Sequence, residues 1–230
     1  MKEEQLKFRH ELKHTINIGD YIALKMRLKS IAKSDKNVDV SGQYRIRSLY
    51  FDNLHDKALR EKIDGVNNRE KFRIRYYNDN FDFIRLEKKS KLNGLCHKKS
   101  TPITKMQCEA ILAGDIEWMK YEEDPLLMEL YIKMYNEQLR PKTLVDYIRE
   151  PFVYEPGNVR ITIDRNIRTG LYLTDLFDLE APMIQVNEPG TMILEVKYDA
   201  FLPAIMADLV QTPNRRGSAF SKYAVCRMYG

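Results

Sequence analysis

Apolar and charged residues alternate along most of the first half of the chain and again near its end. Across residues 8–16, Phe8 and Leu12 fall on one side and Arg9, Glu11 and Lys13 on the other. The same two-residue period recurs in 44–51, which carries Arg45 and Arg47, and in 71–91, KFRIRYYNDNFDFIRLEKKSK. In the latter, Asn78-Asp79-Asn80 separates two alternating runs, which predicts a β-hairpin with one charged face. Residues 92–103 predict a further, ragged hairpin around Asn93-Gly94, a strong turn pair. Strands are also predicted over 142–154, 159–165 and 192–198.

Helical spacing falls between these runs. Residues 20–32 place Tyr21, Leu24, Leu28 and Ile31 on one stripe. Thr104 and Gln107 give a capping-box signal for a short helix that ends at Gly114. Asp124-Pro125 opens a longer helix with Leu127, Leu130, Tyr131 and Met134 at helical spacing. Pro203 opens another, with Ile205, Met206, Leu209 and Val210 clustered, and 211–218 reads as a basic, polar loop. Strands predominate and do not alternate regularly with helices. The expected class is therefore α+β with a largely antiparallel sheet, in one domain over 1–230, with 104–140 as a helical insertion or cap.

Successive strand residues point to opposite faces, so the strands can be sorted by parity. One face collects Arg9, Glu11, Lys13, Arg45, Arg47, Arg73, Arg75, Arg85, Glu87, Lys89, Arg160, Thr162, Asp164, Glu195 and Lys197. The other collects residues such as Phe72, Ile74, Leu86, Ile161, Ile163 and Val196. A half-solvated sheet with helices over its apolar side accounts for any single strand. Taken together, the charged face is dominated by arginine, nearly lacks threonine, and repeats Glu-x-Lys at 11–13, 87–89 and 195–197. Closing such a sheet into a barrel turns that face inward, where the cations repel unless an anion fills the space. Phosphate groups suit it, since arginine binds their oxygens in bidentate fashion. The interspersed glutamates could hold a divalent metal; Glu87 reads equally well as a counter-charge for the arginines.

Composition adds little. The net charge of +5 and pI of about 8.9 suit an anionic partner without naming it. Cys96, Cys108 and Cys226 form no CxxC pair and read as structural thiols. MKEEQLKFRHELK has no signal-peptide pattern, so a cytoplasmic location is expected. No apolar run approaches the roughly 20 residues of a membrane helix. His10, His14, His55 and His97 are scattered and read as packed or surface residues. No RNP-type motif appears, and no nucleic-acid partner is expected.

The stretches FRHELKH, YRIRSLYFDN, KFRIRYY, FIRLEKKSK, TLVDYIREPF, VRITIDRNIR, LEVKYDAFLP and FSKYAV run in order from Phe8 to Val225. As a set they resemble the VTC (vacuolar transporter chaperone) domain of the triphosphate tunnel metalloenzyme (CYTH-like) superfamily. The resemblance implies a closed antiparallel β-barrel tunnel of about eight strands with flanking helices. It also implies a polyphosphate polymerase that transfers the γ-phosphoryl of ATP to a growing polyphosphate chain with Mn²⁺ or Mg²⁺. On the matching motifs, Lys13, Arg73, Arg75, Lys89, Arg149, Arg160 and Lys222 grip the triphosphate. Lys197 and Ser221 add phosphate contacts and Glu195 binds metal on the same motifs; the charged-face sorting adds Arg9 and Arg47 as phosphate contacts and Glu11 and Glu87 as metal ligands. One departure is visible: hydrolytic branches begin Glu-x-Glu-x-Lys, whereas this chain has Arg9-x-Glu11-x-Lys13, which leans toward the polymerase branch. A binding module without turnover and a metal-dependent triphosphatase are the alternatives. The further domains of some relatives, membrane spans included, are not recognisable, so any translocation of product is expected to need a separate membrane partner.

Overall fold

The computed structural model describes residues 8–35, 38–213, 216–217 and 219–229. Eight long strands take up the alternating segments: β1 (His10–Ile16), β2 (Tyr44–Asp52), β3 (Arg69–Tyr77), β4 (Asn80–Leu92), β5 (Leu95–Ile103), β6 (Arg140–Tyr154), β7 (Val159–Thr169) and β8 (Met192–Tyr198). They form one antiparallel sheet in the order β1-β8-β7-β6-β2-β3-β4-β5. Turn chemistry sets the hairpins. Asn78 and Asp79 (φ +49° and +55°) join β3 to β4, and Asn93 and Gly94 (φ +50° and +81°) join β4 to β5. Two successive left-handed residues give the turn twist that matches right-twisted strands. The expected hairpin at 92–103 is the far half of a longer one, because β4 continues unbroken to Leu92.

The sheet curls until β5 approaches β1, and the two edges meet at one bridge. The Arg9 N–H donates to the Cys96 carbonyl at 3.0 Å, and the Cys96 N–H donates back at 3.1 Å. Farther along β1, its free edge is taken by Arg216 and Gly217, which pair with Thr15 and His14. Arg216 and Gly217 thus occupy part of the edge that a continuous β1–β5 ladder would need. The architecture is a curled half-barrel with flanking helices, and the fully closed barrel expected from the sequence is corrected to that extent.

Helices cover the convex side. Over β6–β8, α1 (Ile18–Ile31) supplies Leu24 and Leu28, packed with Phe152, Ile161, Ile163 and Leu194. Over β3–β5, α3 (Lys105–Ala113) and α4 (Pro125–Asn136) supply Ile111, Leu127, Leu130 and Met134, packed with Phe72, Ile74 and Leu86. Each such side chain, fully buried, contributes about 1.5–3 kcal/mol. Both helix starts follow the sequence signals: Thr104 and Gln107 form a reciprocal capping box, and the Asp124 carboxylate accepts the Leu126 N–H at 2.8 Å beside Pro125. A short α5 (Ala204–Leu209) buries Met206 in the α1 cluster. No helix among the described residues is long and apolar enough to cross a membrane.

The concave side is divided. Its apolar half is filled by α6 (Lys222–Met228), whose Tyr223 and Cys226 pack with Ile46, Val145, Tyr147 and Ile193. Asp52 holds α6 in place. Its carboxylate accepts the Tyr223 hydroxyl at 2.6 Å and the backbone N–H groups of Ala58 and Leu59 at 2.9 and 3.1 Å, which open α2 (Lys57–Ile63). The other half stays open and polar.

Candidate functional site

The open half is a cavity of about 370 Å³ on the concave face. Among the described residues, eleven lysines and arginines line it, against two glutamates, Glu11 and Glu195. Four further carboxylates, Asp35, Glu87, Asp164 and Asp199, pair with these cations from the wall, leaving eleven cations to six carboxylates. A smaller chamber of about 130 Å³ adjoins it through Glu11, Lys13, Lys71, Lys89, Cys96 and Ser221 and adds Lys62, Arg69 and Lys91.

The strand parity predicted from the sequence places most of these side chains. Arg73 and Arg75 project from β3 and share Glu87 of β4. Glu87 accepts the Arg73 Nε–H at 2.8 Å and lies 3.7 Å from Arg75 Nε and 3.1 Å from Lys98 Nζ. Arg73 also donates to the Tyr50 hydroxyl at 2.8 Å, and Arg75 donates to those of Tyr147 and Ser48 at 3.1 and 3.3 Å. Burial pushes the Glu87 carboxyl up, and Arg75, Arg73 and Lys98 outweigh it, so the group is held well below the usual carboxylate range. Glu87 thus stands as a counter-charge between two adjacent guanidinium groups, apart from the Glu11 and Glu195 carboxylates with which it is expected from the sequence to bind metal.

A second group joins β6, β7 and α6. Arg149 donates to both oxygens of fully buried Asp164, at 2.6 and 2.7 Å. Lys222 reaches the same carboxylate at 2.5 Å, with its Nζ 4.7 Å from the centre of the Tyr147 ring. Ser221 caps α6 and lines the cavity beside it.

The third group is the Glu-x-Lys pattern itself. Lys13 lies 2.9 Å from Glu11 and 3.5 Å from Glu195, and Lys197 also reaches both. Lys89 pairs across the sheet with Glu11 rather than with Glu87 of its own strand. Burial raises the Glu195 carboxyl, but Lys197, Lys13, Arg149 and Lys89 hold it well below its usual range. Glu11 is likewise held low, against burial and the nearby Glu195, by Lys13, Lys89 and Lys197. Thr162 stands opposite Glu195 in the β7–β8 register, and its buried hydroxyl has no hydrogen-bond partner among the described residues.

Two carboxylates and a free hydroxyl are what this third group offers a divalent ion. Among the described residues no three His, Cys, Asp or Glu side chains are grouped as ligands. Glu11 and Glu195 nevertheless converge on shared lysines, and the Thr162 oxygen beside them is unused. Two carboxylates suit an Mg²⁺-type ion that takes its other oxygens from water and substrate phosphates.

Two predicted residues sit at the rim. Arg9 pairs with Asp199 at 2.8 Å, and Arg160 pairs with Asp35 at 2.7 Å and donates to Tyr44 at 2.9 Å. Arg47 is not in the site. In β2 it is Tyr44, Ile46, Ser48 and Tyr50 that face the concave side, so Arg45 and Arg47 point the other way. There the buried Asp146 carboxylate gathers Arg45 at 3.0 Å, Arg47 at 3.4 Å and Arg168 at 2.8 Å. Arg47 is 1% exposed and also donates to the Asp178 carbonyl, so its expected phosphate contact is corrected to a structural one.

The sequence reading did not assign Lys71, Lys98, Asp164 or the tyrosines Tyr44, Tyr50, Tyr77 and Tyr147. Lys71 had a signal, since it shares the parity of Arg73 and Arg75 in KFRIR. The tyrosines had none, because an aromatic in a strand reads as core.

A curled antiparallel sheet whose concave face gathers cations in excess of carboxylates defines an anion-binding, tunnel-type domain. The VTC domain profile matches residues 8–229, and the chain belongs to that family. No curated protein sequence matches it. Among solved structures, an adenylyl cyclase-like protein from Hippeastrum with a dominant triphosphatase activity is 13% identical, with a TM-score of 0.57 over 97% of this chain and 96% of the other. A conserved hypothetical protein from Pyrococcus furiosus is 12% identical, with a TM-score of 0.46 over 88% of this chain and 85% of the other. At 13% identity the likeness to the Hippeastrum protein is one of fold.

Proposed function

We propose that the chain is a polyphosphate polymerase-type phosphotransferase that moves the γ-phosphoryl group of ATP onto a polyphosphate end. The observation that carries this reading is the charge imbalance of the cavity: eleven cations and six carboxylates among the described residues, and a second basic chamber that shares part of its lining. A chain of phosphates supplies the missing negative charge along its whole length, whereas a single small anion would not.

In this reading Arg73 and Arg75, steadied by Glu87, Tyr50 and Tyr147, bind the triphosphate. Arg149 and Lys222, steadied by Asp164, take the neighbouring phosphate oxygens, and Lys13, Lys89, Arg160, Lys197 and Ser221 extend the contact. Arg9 stands at the rim. A terminal oxygen of the acceptor phosphate attacks the γ-phosphorus in line, the bond from that phosphorus to the β–γ bridging oxygen breaks, and ADP leaves. The attacking oxygen is already anionic, so no side chain has to remove a proton. Positioning and charge neutralisation dominate such a reaction, and each lost charge-assisted contact should cost about 2–4 kcal/mol at the transition state. Glu11 and Glu195 would hold Mn²⁺ or Mg²⁺, which when bound neutralises charge on the transferring phosphates. Any passage of product across a membrane belongs to a separate membrane partner.

The fold likeness to the Hippeastrum protein, reported as a triphosphatase, favours hydrolysis as the second reading. Incubation with ATP and Mn²⁺, and separately with tripolyphosphate, distinguishes the two. Long-chain product from ATP supports the polymerase. Orthophosphate from tripolyphosphate without chain growth supports the hydrolase, and tight binding with neither product makes the domain a binding module.

A further inference from the structure

Lys71 breaks the pairing pattern of the cavity. Each of the other ten cations that line it has a carboxylate within 4.0 Å, as Arg73, Arg75 and Lys98 have Glu87. Lys71 has none among the described residues. Its Nζ lies 3.4 Å from the Ser221 hydroxyl and 5.5 Å from the centre of the Tyr50 ring. It lines both chambers, so it stands where the two meet. The nearest charged groups are mainly cationic: Lys89 across the β3–β4 register, Arg73 on its own strand, Lys13 of β1 and Lys62 of α2; Asp52, Glu61 and Glu70 line a small neighbouring cavity with it but form no ion pair with it among the described residues. Glu11 on the far wall is already shared by Lys13, Lys89 and Lys197.

We propose that Lys71 is a proton-coupled phosphate contact, neutral in the empty cavity on the alkaline side of neutrality and then charged by uptake of a proton from solvent when a phosphate group docks at the junction of the chambers. The proposal rests on the reading of the cavity as a polyphosphate site. A buried ammonium among other cations is costly to keep charged, and the amine loses its proton more readily as a result. Burial drives the Lys71 amine down; the phenol of Tyr50 opposes this, and Lys89, Lys13 and Arg73 add to it, bringing the group to about 7. A phosphate oxygen at Lys71 provides the negative neighbour that a carboxylate provides for the other lysines of the larger cavity, and so restores the charge. Tyr50 is the rival proton acceptor. Burial raises its phenol, but Arg73, Lys71 and Arg75 bring it down to about 7.

The test is calorimetric titration of the full chain with tripolyphosphate, without metal, in buffers of different ionisation enthalpy at pH 6 and pH 8. The comparison with Lys71→Arg cancels protons bound by the ligand itself. For a group titrating near 7, wild type should take up about 0.9 proton more than Lys71→Arg at pH 8 and about 0.1 more at pH 6. Its affinity relative to that variant should fall about fivefold between pH 7 and pH 8. Lys71→Met should lose the same uptake, whereas Tyr50→Phe should keep it. Equal uptake in wild type and Lys71→Arg overturns the proposal, as does loss of uptake in Tyr50→Phe alone. Absence of binding in wild type overturns the polyphosphate reading itself; binding without excess uptake overturns only the role of Lys71.

Discussion

Replacing Glu87 by glutamine tests whether that carboxylate is a counter-charge or a metal ligand. Glu87 is 2% exposed and contacts three cations, Arg73, Arg75 and Lys98. Removing one partner of a buried ion pair typically costs about 3–5 kcal/mol, because the remaining charge is left uncompensated. Here the cost should fall at the lower end, about 3 kcal/mol. Arg73 keeps its bond to the Tyr50 hydroxyl, glutamine keeps one acceptor oxygen, and Lys98, with a side chain 54% exposed, can turn to water. Urea unfolding of both proteins at pH 7, with and without tripolyphosphate, measures this. The variant should lose about 3 kcal/mol without ligand, and tripolyphosphate should narrow the gap by restoring negative charge beside the arginines. The pH dependence has a definite sign. The folded carboxyl is held below its ordinary value of 4.5, so its stabilisation is complete above that pH and is lost progressively as pH falls below it. The gap between wild type and variant should shrink from pH 5 toward pH 3. An unchanged stability at pH 7 combined with lost Mn²⁺ dependence would refute the counter-charge assignment and return Glu87 to the metal set.

Three further outcomes are expected. Arg47→Met should lower stability by about 1–3 kcal/mol, because Asp146 loses a buried partner, yet leave tripolyphosphate affinity within twofold of wild type in calorimetry. Glu195→Gln should retain tripolyphosphate binding and lose metal-dependent turnover of ATP; equal loss of both would count against a metal role. Gly157→Ala should destabilise by more than 1 kcal/mol in urea unfolding, since Gly157 has φ +70° and an added Cβ would meet the Phe201 carbonyl oxygen at 2.6 Å.

The sheet was largely legible because strand parity is a geometric property of the chain, and Asn78-Asp79 and Asn93-Gly94 carry turn chemistry that needs no tertiary context. The face of β2 was not. YRIRSLYFD alternates arginine with tyrosine and serine, and either set can line a polar cavity. What decides is Asp146 on the neighbouring β6, which draws Arg45 and Arg47 to the convex side and cannot be paired with them from sequence alone. The incomplete closure was hidden for a similar reason, since Arg216 and Gly217 reach β1 from about 200 residues away. Within the site, the charged parity named Arg73, Arg75, Glu195 and Lys197. Arg149 and Lys222 came through the family resemblance, and their common partner Asp164 became evident only once β6, β7 and α6 were brought together.

The most direct measurement is a crystal structure of the chain with tripolyphosphate bound. The phosphates should lie on the concave face between Arg73, Arg75, Arg149 and Lys222, with the chain running toward Lys71. An anion held instead by Arg45 and Arg168 on the convex side, with the concave cavity containing only water, would contradict the assignment of the cavity as a polyphosphate site.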